Sequence, residues 1–396
     1  MSIINYFVSL HKNRQKMKIL FLVYHGFEEA SGISKKIHYQ VKGLRENGHD
    51  VRLCYYGFAE NGHRCRYIDG QVIKDYGKGK WAGLRQRIGY RNVYDYCILE
   101  KIEFVYARSF HNATPWLIRL FKKLRIAGIH SVTEIPTYPY DTEYSPHWWK
   151  QPLRFIVDKW FRCRLYQYMD GIVTFSDDEV IFGQRTICIS NGVDFDSIQL
   201  HTPFVYDKKE ALHLIGVAEV KPWHGFDRLI EGLGVYYQHS SNPRQVFFHV
   251  VGGIWSGHMR GERGFQTLIE RYHLQDKVFL HGQLFGKDLD DVFNKCQFAV
   301  GSLGRHRSGI THIKTLKNRE YATRGVPFIY SEQDSDFDNQ SYVMKAPADE
   351  SPISIQHIID FVEHFTMQPT DIRQTVGHLT WKIQMQRVID AVYNNM

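Results

Sequence analysis

This sequence predicts an α/β protein of two lobes, each a parallel sheet wrapped by helices, with a cleft between them. Three observations carry that expectation. The chain has 396 residues, enough for two domains of about 180–200 residues each. Short apolar runs alternate with amphipathic helical stretches, and the series occurs twice. Between the two series, at 191–206, the turn-forming Asn191-Gly192-Val193-Asp194 and the breaker Pro203 mark a boundary.

The first series opens with a buried-strand run at 17–24 and a glycine-containing loop. A helix is expected at 31–47, because Ile33, Ile37, Val41 and Leu44 share one face and Gly48 ends it. Further strands are expected at 51–56, 104–107, 131–133 and 171–175. The second series places strands at 212–217, 246–251, 278–280, 298–300 and 328–330. A last helix at about 379–393 follows the completed second sheet and is expected to pack across the lobes. The expected division is an N-terminal extension at 1–16, a first lobe at 17–195, a second lobe at 206–378 and a crossing helix at 379–396.

Composition narrows the function. Hydrophobic residues at 43% and charged residues at 23% describe a globular protein with apolar surface for two cores. The formal charge of +8 would attract polyanions, but no zinc-finger spacing, Arg-rich tail or RNA-binding signature accompanies it, so nucleic acid is not an expected partner. The cysteines Cys54, Cys65, Cys97, Cys163, Cys188 and Cys296 form no CxxC pair, which suits a reduced, cytoplasmic setting. No apolar run reaches the roughly 18–20 residues of a membrane span, and residues 1–16 show no plausible cleavage site for a signal peptide. Two basic-aromatic stretches, 78–88 around Trp81 and the run from Trp148-Trp149-Lys150 through Phe155, Trp160 and Arg164, suit an anionic bilayer surface. They point to peripheral attachment at the inner face of a membrane.

In open parallel sheets ligands sit beyond the carboxyl ends of the strands, so the loops there hold the candidate residues. Gly32 starts a helix after the first strand, where a phosphate or sugar can approach the backbone. The loop lacks the three spaced glycines of a dinucleotide fingerprint, which counts against hydride transfer. Lys221 and His224 occupy a second strand-loop-helix junction, placed to meet a diphosphate. In 315–327 a helix closed by Gly325 precedes an apolar strand. Its N-terminus favours a phosphate, with Lys317 near the start and Glu320 able to accept hydrogen bonds from sugar hydroxyls. Glu134 follows a strand of the first lobe, as do Arg108 and His111. The triplets Asp194-Phe195-Asp196, Asp334-Ser335-Asp336 and Asp336-Phe337-Asp338 have the spacing of Mg²⁺ ligands.

Gly32, the 191–194 linker, the His224-Gly225-Phe226-Asp227-Arg228-Leu229-Ile230 run, Gly252-Gly253, and Lys317, Glu320 and Tyr321 before Gly325-Val326-Pro327 recur in an order that resembles one family. It is the large family of retaining, two-Rossmann-lobe (GT-B) glycosyltransferases that build bacterial polysaccharides, glycosyltransferase family 4-like. The resemblance spans about 17–390. It implies a transfer of a sugar from a nucleoside diphosphate sugar to a hydroxyl of a glycan or lipid-linked glycan, with retention, no cofactor and no required metal. Glu134 and Lys317 become the expected catalytic residues. Gly32, Lys221, His224, Gly253, His312 and Glu320 become the expected donor-binding residues, and Arg108 and His111 the acceptor-binding ones. The family's second glutamate, eight positions before Glu320, is His312 here. Its diphosphate-clamping arginine and lysine fall at Ala218 and His224. These departures keep two other readings open: a nucleotide-sugar binder without turnover, and a basic membrane-surface scaffold.

Overall fold

The computed structural model describes residues 16–27, 32–143, 153–202, 207, 209–254 and 261–394. The extension before Lys16, the loop residues 28–31, the Trp148-Trp149-Lys150 triplet and Pro203 lie outside the described residues. The chain divides into two units: 1–136, 147–189 and 381–396 form the first, and 137–146 with 190–380 form the second.

In the first unit, β1 (Lys18–Leu22) lies parallel between β2 (Asp50–Phe58) and β5 (Phe104–Arg108). The parallel series continues through β6 (His130–Ile135), β7 (Gly171–Thr174) and β9 (Gln184–Cys188). Helix α1 (Gly32–Glu46) buries Ile37, Val41 and Leu44, as its periodicity requires, but Ile33 of the expected face lies in the first turn and is 51% exposed. Beside it the last helix of the chain, Trp381–Tyr393, returns to the first unit. A Cβ at Gly43 of α1 would sit 2.7 Å from the Trp381 backbone, so only glycine permits this close crossing.

Two antiparallel hairpins extend this sheet beyond the expected strands. β3 (Arg64–Ile68) and β4 (Gln71–Asp75) join at Asp69 and Gly70, whose φ values of 46° and 86° are those of a tight hairpin turn. β8 (Val180–Ile181) reaches β9 through Phe182 and Gly183, again with positive φ at both. The resulting order is β4-β3-β2-β1-β5-β6-β7-β9-β8.

The second unit is wholly parallel. β10 (Leu212–Val217), β11 (Val246–Val251), β12 (Val278–Gly282), β13 (Phe298–Val300), β14 (Phe328–Tyr330) and β15 (Val343–Lys345) take the order β12-β11-β10-β13-β14-β15. One face packs Leu212, Leu214, Phe248 and Val250 into a core with Leu229, Ile230 and Leu233. The other packs Ile215, Ala299 and Phe328 against Tyr321 and Ala322. In both sheets the strand order reverses at one place, between β1 and β5 and between β10 and β13. The carboxyl ends there are where this kind of sheet holds ligands.

Candidate active site

At the reversal point of the second sheet, three loops and one helix end converge. After β10, residues 218–225 carry Lys221 and His224. The Lys221 N–H donates to His224 Nδ1 at 2.9 Å, which leaves Nε2 as the protonated nitrogen of the neutral ring. The Lys221 ammonium pairs with Glu219 at 3.2 Å. Gly253, after β11, accepts from the Val220 N–H at 2.7 Å and so ties the next strand end to this loop. A cavity of about 330 Å³ adjoins it, lined among others by Lys221, Asp227, Arg307 and Glu350. The charges there are matched: Arg307 bridges Asp227 and Glu350, and it holds the Glu350 carboxyl well below its usual range.

Helix α9 (Leu316–Arg324) begins beside this loop system. Its N-cap residue Thr315 makes no side-chain cap, and Thr315 Oγ1 is buried without a hydrogen-bond partner among the described residues. Within the first turn, Lys317 Nζ is likewise buried and makes no hydrogen bond among the described residues. Burial, together with repulsion from Arg305, pulls the Lys317 ammonium down to about 7 against the opposing pull of Glu332. Glu332, just after β14, is raised by its own burial despite Arg305 and Lys317, and its Oε2 has no hydrogen-bond partner. Ser302 Oγ and Asn318 Oδ1 are two more buried polar atoms in the same condition. Buried polar atoms are normally paired, so a group of them at one helix N-terminus is unusual. It combines a helix-end partial charge, a cation and hydroxyl donors with a carboxylate acceptor. Chemically this can hold an anion joined to a polyol.

Of the other expected donor residues, Glu320 lies further along α9 in an ion pair with Arg324 at 3.0 Å. His312 is exposed, with Nδ1 3.1 Å from Thr311 Oγ1 and a parallel bridge to Gln333. Gly32, at the start of α1 in the first unit, is exposed, and a Cβ there would meet nothing within 4 Å. The aspartate triplets are engaged otherwise. Asp334 and Asp336 both bond the buried Arg319, and Asp338 pairs with Lys345 at 2.8 Å. Among the described residues no group of three or more His, Cys, Asp or Glu is arranged to hold a metal ion.

Glu134 and Arg108 come together in the first unit, at the ends of β6 and β5. Glu134 is fully buried, yet both its oxygens are occupied. Arg108 meets Oε1 at 2.5 Å and Lys36 meets it at 3.2 Å, while Gln40 and Tyr106 donate to Oε2 at 2.6 and 2.7 Å. Burial alone would raise the carboxyl, but Lys36 and Arg108 outweigh it and hold it at about 2. His111 takes a positive φ of 50° and sets its ring 6.2 Å from that of Phe155.

Lys36, Gln40, Arg305, Ser302 and Glu332 are not among the expected residues. Ser302 and Glu332 stand in loops directly after strands, the position that singled out Lys221, and Arg305 opens the 3-10 turn Arg305–Ser308 a little further on. Lys36 and Gln40 carry no such signal, because only their helical spacing from Gly32 brings them to Glu134.

Trp81 and Trp160, from the two basic-aromatic stretches, are each 73% exposed. Among the described residues no helix is long and apolar enough to cross a membrane.

No protein-family model and no curated protein matches the chain. Solved structures do. Sucrose-phosphate synthase from Thermosynechococcus elongatus is 15% identical with a TM-score of 0.62, over 96% of this chain and 100% of its own. HepE from Anabaena, in complex with UDP, is 14% identical with a TM-score of 0.61 over the same shares. The catalytic domain of starch synthase IV from Arabidopsis thaliana, bound to ADP and acarbose, is 10% identical with a TM-score of 0.61, over 96% of this chain and 99% of its own. At such identities the likeness is one of fold, and it runs the length of the chain: two α/β units with parallel-rich sheets, the GT-B architecture.

Proposed function

We propose that this protein is a glycosyltransferase that moves a sugar from a nucleoside diphosphate sugar to a hydroxyl of a glycan or lipid-linked glycan, with retention, in bacterial surface polysaccharide synthesis. The observation that carries this reading is the group of buried, unpaired polar atoms at the start of α9. As the glycosidic bond stretches, negative charge grows on the departing diphosphate. Lys317 and the free N–H groups of α9 stabilise it there, with Lys221 and His224 on the neighbouring loop and Gly253 giving the backbone close approach. Glu320 meets the ribose. His312, where the family resembled has a carboxylate, faces the donor sugar. Arg108 and His111 serve the acceptor side. Glu134 acts through Lys36 and Arg108, fixing the start of α1, and is a positioning residue. The exposed Trp81, flanked by the exposed Lys78, Lys80, Arg85 and Arg87, rests on an anionic membrane face, which would bring the protein to a lipid-linked acceptor.

Support for the donor class comes from similar folds solved with UDP and with ADP. The test is thermal unfolding of the purified protein with UDP-, GDP- and dTDP-sugars, followed by assay of released nucleotide. A ligand at a hundredfold over its Kd stabilises by about 2.7 kcal/mol, and one of the three series is expected to do so. NMR of the product anomer then reads retention. If no nucleotide sugar shifts the unfolding, the reading fails. If one shifts it and no nucleotide is released under any acceptor, the protein is a binder without turnover.

A further inference from the structure

A groove on the first unit lies apart from the candidate site residues. It runs between α1 and the face of β2 and β3, has a volume of about 600 Å³, and is lined among others by Phe27, His38, Lys42, Arg45, Tyr55 and Asp69. Phe27, His38 and Tyr55 line it, and the row of rings continues beyond the groove onto Tyr67. Phe27 packs against His38 at 4.7 Å and against Tyr55 at 5.1 Å, and Tyr55 stacks on Tyr67 at 5.4 Å with 14° between planes. Tyr55 and Tyr67 are cross-strand partners, so they share one face of the sheet. Gly57, two residues on, clears space for the second ring, because a Cβ there would lie 2.9 Å from it. Phe27, Tyr55 and Tyr67 are half-buried and His38 is exposed, so the row is sealed by nothing among the described residues.

The rim decides what suits this row. Lys42 and Arg45 stand against Glu46 and Asp69, paired at 3.8 and 3.7 Å, so the charges cancel. A phosphate or an anionic lipid headgroup would meet two carboxylates along with the two cations, and a purely apolar partner would have to cover all four charges at a desolvation cost. A neutral polyol finds donors and acceptors around the edge and ring faces for its C–H surfaces, the mixed lining of a small-molecule groove in the ~300–1,000 Å³ range. We propose that this groove is a glycan-binding platform, occupied by a neutral oligosaccharide whose pyranose rings lie along Phe27, Tyr55 and Tyr67. The inference rests on the glycosyltransferase reading in one respect: the bound chain is the far portion of the acceptor.

The experiment titrates the full-length protein with cellohexaose, maltohexaose and chitohexaose by saturation-transfer NMR and calorimetry, in parallel with nucleotide-sugar thermal shifts on the same samples. At least one hexasaccharide is expected to bind. Its affinity falls at least tenfold in Tyr55→Ala and in Tyr67→Ala, and severalfold in His38→Ala, whose exposed side chain makes misfolding no explanation. Tyr67→Phe keeps the affinity. Donor shifts stay unchanged throughout. Binding that is indifferent to Tyr55→Ala and His38→Ala overturns the platform, and so does no binding of any of the three sugars while the donor shift is intact. Loss of the donor shift in the unmodified protein would count against the enzymatic reading instead.

Discussion

Two buried charged clusters, one at the carboxyl edge of each sheet, are built on opposite terms. Around Glu134 every oxygen has partners, two of them cations, and the carboxyl is held ionised at about 2. In the second cluster Lys317 Nζ and Glu332 Oε2 are equally buried but lack hydrogen bonds among the described residues, Glu332 Oε1 having only a long one from Asn318 at 3.5 Å, and each group is pushed towards its neutral form. Desolvation acts on both clusters with the same sign. What differs is compensation, since a buried charge stabilises a fold only when partners repay its lost hydration. The first cluster therefore reads as architecture. The second leaves buried polar atoms without hydrogen bonds among the described residues.

The largest effect is expected where compensation is complete. Glu134→Gln leaves Lys36 and Arg108 buried together without a counter-charge, and breaking such a set costs about 3–5 kcal/mol. Urea unfolding followed through the first unit should show that loss. Donor-induced thermal shifts should persist at temperatures where the variant is folded. A loss below about 1 kcal/mol would mean that the cluster contributes no more than a surface ion pair, and the contrast between the two clusters would disappear.

At the second cluster the prediction reverses. Lys317→Met removes a buried cation that has no hydrogen bond, so stability should hold or rise by about 1 kcal/mol. Nucleotide-sugar affinity should fall by roughly ten- to a hundredfold, the range of one charge-assisted hydrogen bond. Calorimetric titration beside thermal unfolding reads both. A variant that is less stable with unchanged affinity would move Lys317 to the architectural side.

The contrast also explains what was legible in the sequence. Every expected strand is present because buried parallel strands announce themselves as apolar runs: Val246–Val251 and Phe328–Tyr330 coincide with their runs. The β3–β4 hairpin escaped that rule, since β4 is exposed along nearly its whole length and offers no run. Its signal was local, the Asp69-Gly70 turn. The last helix was legible as a helix that follows the second sheet, but the element it meets was not. Its return to α1 depends on Gly43 and on a long-range crossing that no local pattern encodes. For the site, strand-end position pointed to Lys221 and His224, and the helix N-terminus pointed to Lys317. Neither could show that Glu134 would be enclosed, because enclosure comes from Lys36 and Gln40 on another element, nearly a hundred positions away.

Acid separates the two units further. His213, His249 and His281 stand on β10, β11 and β12 in a row, each ring nitrogen 2.9 Å from the next. Burial comes first among the causes that lower all three and Lys295 adds to it in each; His249, repelled also by His213 and His281, falls to about 4. Their folded values lie below the unfolded value of about 6.5, so the unfolded chain binds protons first. Stability is thus full above about pH 6.5 and declines as pH falls towards 4. The loss should be about 1–2 kcal/mol after discounting for partial exposure. Glu134 acts in a lower window. Its depressed carboxyl contributes stability that is lost only as pH falls from about 4.5 towards 2. Hydrogen exchange at stepwise lower pH should therefore loosen β10–β12 before β5 and β6. His249→Phe should flatten the upper window alone, and simultaneous loosening of both sheets would contradict the assignment.

The smallest effect is the most specific to a waiting anion site. With Lys317 at about 7 in the free protein, roughly half of it is protonated at pH 7. A diphosphate beside Lys317 favours the ammonium, so Lys317 takes up a proton on binding. The sign is fixed: donor affinity is level below about pH 6 and declines above it, as the missing proton must be supplied. Near pH 7 the uptake should be about half a proton, changing affinity only about twofold between pH 6 and 7. Calorimetry in HEPES and in Tris, whose ionisation enthalpies differ, resolves this as a buffer-dependent binding heat. Lys317→Met should abolish most of that dependence, while Glu320→Ala should lower affinity and leave it intact. A binding heat independent of buffer would mean that the donor phosphates do not meet Lys317, and the unpaired atoms at the start of α9 would need another occupant.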